Sequence, residues 1–223
     1  MRLSVRGYQP MLVRDLKQEH IEADLTSCTM SLLTDGTVQK LHAYMGRTVL
    51  VLGIEAAQMR GENTCELECL KELHCKAAIR DMPVLEHWLD ALEGAYLVLF
   101  RLAFVAEKTY RVSHSSALEF AAGNKDMIES EFGSAEAYAD YYGTLNSEAN
   151  TKAFARANAQ VHSNINAKLF TDGSLQDANT TALLSLFKAS AYAFACAHAF
   201  GELERRYCEA RQHLVRCLRT VIV

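Results

Sequence analysis

Hydrophobic and polar positions change period twice within the first sixty residues. Cys28, Met30 and Leu32 alternate with Ser27, Thr29 and Ser31, a period of two that predicts a short strand with one apolar face and one hydroxyl face. From Asp35 the spacing becomes helical through Val38, Leu41, Ala43, Tyr44 and Met45, with Gly46 as the expected left-handed stop. Thr48 is the expected N-cap of a second helix carrying Leu50, Val51, Ile54, Ala57 and Gln58, and Gly61, Glu62 and Asn63 mark the next break.

Helical spacing dominates the remainder. Leu67, Leu70, Leu73 and Ala77 predict a helix over 64–80, and Asp81, Met82 and Pro83 turn the chain. A long helix is expected from Val84 to about Tyr110, with Leu85, Trp88, Leu89, Leu92, Tyr96, Leu99 and Phe100 in phase, apolar all round near Leu97–Val105 and so buried in a bundle. Residues 111–150 read as irregular short helical pieces divided by Gly123, Gly133 and Gly143. A helix over 151–170 follows, then a break at Thr171 to Ser174, then one or two long helices to Val223 carrying Leu183, Leu186, Phe187, Phe194, Leu214 and Leu218. The fold class expected is mostly α: a basic arm over 1–24, a strand-helix-helix unit over 25–62 and a helical body over 63–223.

A lone strand with one apolar face leaves its backbone groups unsatisfied, so it must pair, and the simplest pairing is antiparallel with the same strand of a second copy. One strand followed by two helices is the outline of a ribbon-helix-helix unit, whose ribbon enters the major groove of duplex DNA. In that arrangement Ser27, Thr29 and Ser31 face base edges, while Arg47 and Thr48 at the start of the second helix hold a phosphate.

Charge qualifies this. The formal net charge is −4, which excludes a protein that coats nucleic acid by bulk charge but leaves room for a local basic face. Arg2, Arg6, Arg14 and Lys17 outweigh Asp15 and Glu19 in the arm, Asp126, Glu129, Glu131, Glu136 and Asp140 gather in the middle, and Arg205, Arg206, Arg211, Arg216 and Arg219 return positive charge near the end. The arm is expected to reach phosphates or an adjacent minor groove. Seven cysteines, an odd number scattered through helical contexts, fit a reducing cytoplasm better than a disulfide framework. No apolar run is long enough for a bilayer, so no membrane partner is expected.

Chemistry is sparse. Cys65, Cys69, His74 and Cys75 are zinc-ligand types without zinc spacing, and Cys196, His198, Cys208, His213 and Cys217 form a looser second set. Phosphate-loop, nucleophile-elbow and His-Glu-x-x-His motifs are all missing, so neither an enzyme nor a cofactor is expected. Two other classes stay open: a helical metal- or haem-binding protein or enzyme, and a helical protein–protein adaptor.

Thr37, Gln39, Lys40 and Leu41, the pair Gly46-Arg47, and the later Asp81-x-Pro83 followed by Trp88, Leu89, Leu92, Glu93 and Ala95 resemble the AcaB-type transcriptional regulators of conjugative plasmids and integrative conjugative elements. The likeness covers roughly the first 95 residues. It implies a homodimeric ribbon-helix-helix regulator that controls DNA-transfer genes through promoter DNA. The first helix is nearly a turn short of the usual length, and the strand's outer face has none of the Arg, Lys, Asn or Gln that read bases most sharply.

Overall fold

A computed structural model describes residues 21, 23–24, 27–28, 38–81, 83–103, 105–171, 180–198 and 201–222. All regular structure among them is helical, as the periodicity requires: α1 (Val38–Tyr44), a π turn (Met45–Val49), α2 (Leu50–Arg60), α3 (Cys65–Ala77), α4 (Leu85–Leu102), α5 (Val105–Gly123), α6 (Lys125–Phe132), α7 (Ala135–Thr171), α8 (Thr180–His198) and α9 (Leu203–Ile222).

The expected strand is not seen where its residues are described: Ser27 and Cys28 are helical, while Thr29 and Ser31 lie outside the described residues. Tertiary burial outweighs a brief alternation here. Ile21 and Cys28 both meet the core, and Asp24 Oδ2 pairs with Arg219 Nη2 of α9 at 2.6 Å. The end of the segment read as an arm therefore packs on the body; Arg2, Arg6, Arg14 and Lys17 lie outside the described residues.

The break expected at Gly46 is also absent. Tyr44, Val49 and Leu50 are all right-handed helical, and the chain runs from Val38 to Arg60 through the π turn. Gly46 serves packing instead. A Cβ there would sit 3.1 Å from Lys71 O and His74 Cβ and 3.2 Å from Cys75 Sγ, so its missing side chain lets α3 lie against the turn. Gly61 does end a helix, with φ 69° and its amide bonded to Gln58 O at 3.1 Å.

α4 and α8 form the middle of the molecule. α4 packs on α3, α7, α8 and α2, and α8 on α2, α9 and α7. Leu92, Tyr96 and Leu99 of α4 meet Leu186 and Phe187 of α8 in one core that also takes in Leu50, Leu67, Ala159 and Leu214. Residues 38–60 thus share a core with the rest of the chain. Burying each such side chain stabilises the fold by about 1.5–3 kcal/mol.

The expected helix 84–110 ends early, at Leu102, because Ala103 is extended with ψ 151° and α5 starts afresh. Residues 111–150, expected to be irregular, are instead two long helices joined by the short α6. Gly133 (φ 81°) divides them, but Gly143 lies within the 37-residue α7, where a Cβ would come 3.0 Å from Tyr110 Cε2 of α5. Buried Ala117, Ala121 and Ala139 likewise keep α5 and α7 close. Among the described residues no helix is long and apolar enough to cross a membrane.

Candidate functional site

The most unusual interior feature is polar. His42 of α1, His74 of α3 and His162 of α7 are each no more than 2% exposed, and they converge beside Trp88 and Tyr96 of α4. Each histidine stands where helical phase demands a core residue. His42 follows Leu41, His74 is four residues past Leu70 and three before Ala77, and His162 is three past Ala159.

His42 Nδ1 and His74 Nδ1 lie 3.0 Å apart. One must donate and the other accept, so one proton lies between two neutral rings of opposite tautomer. His74 Nε2 is buried with no hydrogen-bond partner among the described residues. The Trp88 ring stands edge-on to both, with centroids 5.7 Å from His42 and 4.8 Å from His74, its indole N–H also buried without a partner. On the far side, Tyr96 Oη lies 3.5 Å from His162 Nδ1 and in a short hydrogen bond with Ser185 Oγ of α8.

Electrostatics favour the neutral forms of His42, His74 and Tyr96. Burial, with His162 adding to it, lowers His42 to about 3. Burial first, then the neighbouring His42 and His162, holds His74 well below the ordinary imidazole value. Burial likewise pushes the Tyr96 phenol up, against the opposing hydrogen bond from Ser185. These groups link α1, α3, α4, α7 and α8 through directional contacts, which an apolar core of equal volume would not provide.

The cysteine–histidine sets do not assemble. Cys65 and Cys69 are exposed on α3 while His74 points inward. Cys69 lines a hollow of about 590 Å³ between α3 and α4 with Glu66, His87 and Asp90. Near the end of the chain, Cys217 Sγ and His213 Nε2 are 3.7 Å apart on α9. Among the described residues no group of three or more His, Cys, Asp or Glu is arranged to hold a metal ion.

Of the residues expected to meet DNA, Ser27 is exposed and Arg47 is exposed in the π turn, with Thr48 half-buried beside it. Arg47 and Thr48 sit inside a continuous helix rather than at a helix start, so their amides are not the free donors expected of an N-terminus. Thr29, Ser31, Arg2, Arg6, Arg14 and Lys17 lie outside the described residues. Of the residues in the two sequence motifs singled out above, Leu41, Trp88, Leu92 and Ala95 are buried, and the His42 and Trp88 rings bring the two segments into contact.

Sequence reasoning missed the histidine cluster because its members are 32 and 88 residues apart, beyond any local spacing rule. The signal available was a histidine in the buried phase of each of three helices. Comparison with protein-family models, with curated proteins and with solved structures finds no match of any kind to this chain.

Proposed function

We propose that this chain is a DNA-binding regulator of gene expression, acting as a homodimer on promoters of DNA-transfer genes. One structural observation carries the reading. Lys40 of α1, Arg47 of the π turn and Arg216 of α9 are exposed and form no ion pair with another described residue, and they stand on helices that pack against one another. Neighbouring cations are occupied: Arg60 donates to Cys196 O at 2.7 Å, Arg205 and Arg206 pair within α9, and Arg219 holds Asp24. Unoccupied cations are those that can neutralise phosphate and release counterions.

The segment with Arg2, Arg6, Arg14 and Lys17 precedes α1 in the sequence and carries further positive charge. Base reading by Thr29 and Ser31, and a ribbon shared with a second copy, belong to this reading; Ser27 and Cys28 are helical, while Thr29 and Ser31 lie outside the described residues. The motif likeness to AcaB-type regulators supports the promoter assignment.

The test is duplex DNA selected from a random pool, titrated against the full chain at several salt concentrations. Binding that weakens steeply with salt is expected, and Arg47→Ala or Arg216→Ala should weaken selected and scrambled duplexes alike while lowering the salt slope by about one unit. Sedimentation of the complex should show two copies per site. Absence of salt-dependent binding to any duplex overturns the proposal.

A further inference from the structure

The opposite charge pattern, joined to exposed aromatic surface, occurs where α5, α6 and α7 meet. Phe120, Phe132, Tyr138, Tyr141 and Tyr142 form a contiguous set of rings: Phe132 to Tyr138 at 5.0 Å, Phe132 to Tyr141 at 5.8 Å, and Phe120 and Tyr142 each 6.1 Å from Tyr138. They do not form a core. Of α6 only Ile128 is buried, while Tyr141 is 58% exposed, Phe120 and Met127 49% and Tyr142 42%. Single exposed apolar residues are ordinary, but a clustered set of rings marks a surface that is covered in use.

Carboxylates surround the rings. Lys125 is the only Lys or Arg between Val112 and Thr151, against Glu119, Asp126, Glu129, Glu131, Glu136, Asp140 and Glu148, all exposed. Asp140 is engaged by the Tyr110 hydroxyl at 2.7 Å and by His114 at 3.2 Å, and Glu129 lies 3.6 Å from Lys125. Glu119, Asp126, Glu131 and Glu136 carry no ion pair with another described residue. Nucleic acid and anionic lipid are repelled by such a field, whereas cationic side chains are drawn to it.

We infer that this end of the molecule is a docking surface for an arginine-rich segment of a protein partner. Aromatic faces beside unpaired carboxylates suit guanidinium better than ammonium, because a planar, weakly hydrated cation stacks on a ring and donates in parallel to a carboxylate. The surface does not depend on DNA binding by α1 and α9, which carry charge of the other sign.

Fluorescence anisotropy of a labelled peptide alternating Arg and Ser, titrated with the full chain at low salt, tests the inference. Binding is expected that weakens with salt, is weaker for the Lys counterpart and is lost for the Gln counterpart. Tyr141→Ser/Tyr142→Ser and Glu131→Gln/Glu136→Gln should each reduce affinity about tenfold with unchanged circular dichroism, since all four side chains are exposed. Arg47→Ala/Arg216→Ala should leave peptide binding intact, so a failure of the DNA reading is separable. No binding at low salt, equal binding of the Gln peptide, or insensitivity to both double variants overturns it. So does self-association of the free chain that the tyrosine variant abolishes, since the surface would then belong to a second copy.

Discussion

Acidification should unfold this protein through its buried histidines. In the unfolded chain His42 takes up a proton below about 6.5, whereas in the folded core it does so only near 3. Falling pH therefore favours the unfolded state, and the stability is complete near pH 7 and lost progressively through the window from 6.5 to 3. Between pH 7 and pH 5 one such histidine costs about 2 kcal/mol. His74 is held low by the same burial and adds a loss of the same sign, so the pair loses more than His42 alone, a large share of a typical domain's stability of about 5–15 kcal/mol. Urea unfolding at pH 7, 6 and 5, followed by fluorescence of Trp88, the single tryptophan, gives the slope directly. Carboxylates titrate in the same range, so the comparison is with His42→Phe/His74→Leu, which removes both imidazoles. The variant should lose most of the pH dependence between 7 and 5 even if its stability at pH 7 is lower. A variant whose slope equals that of the wild type would show that the histidines protonate freely in the fold and refute the reasoning.

Two smaller perturbations probe the packing around the cluster. Gly46→Ala gains helix propensity of up to about 1 kcal/mol but drives a methyl against Lys71 O, His74 Cβ and Cys75 Sγ, and overpacking of this kind costs about 1–3 kcal/mol. The expected net result is a fall in Tm of about 2–4 °C by calorimetry, and a rise would show that α3 does not need the gap. Tyr44→Phe removes the hydroxyl that donates to Leu214 O at 2.9 Å and leaves that carbonyl with only its bond inside α9, for an expected loss of about 0.5–1.5 kcal/mol in urea unfolding with unchanged helix content. No loss would place water at that carbonyl.

Much of the bundle was legible because its helices carry their burial in phase. Leu67, Leu70 and Ala77 on α3, and Trp88, Leu92, Tyr96 and Leu99 on α4, are buried where the sequence spacing puts them, although Leu85 at the start of α4 is exposed. Gly61 ends a helix and Gly201 stands at a turn with φ 87°. Errors arose where one residue type serves two purposes. Gly46 and Gly143 read as breaks, yet both are glycine because another helix comes too close for a Cβ, and that closeness is a tertiary fact absent from local sequence. Ser27 and Cys28 read as strand because six alternating residues fit a period of two, whereas the core takes Ile21 and Cys28 from helical positions. Similarly, Ala103 interrupts an apolar run in which nothing local demands an extended residue. The histidine site was illegible as a site because its members come from three separate helices, although each one's phase was visible.

The π turn has a consequence for how this chain tolerates length changes. A π turn holds one more residue than the α-helical turn it replaces, so Val38–Tyr44 and Leu50–Arg60 are offset from one another by a single inserted position. Deleting one residue between Met45 and Val49 would restore a uniform α-helix and rotate everything before it by about 100°. His42 would then swing off His74 and Tyr44 off Leu214, while different side chains of α1 turned inward. The surplus residue is therefore a register key: it permits the small residue facing α3 and the histidine facing the core to be satisfied by one unbroken helix, and it makes this turn the place where a length change of one residue does more harm than most point substitutions.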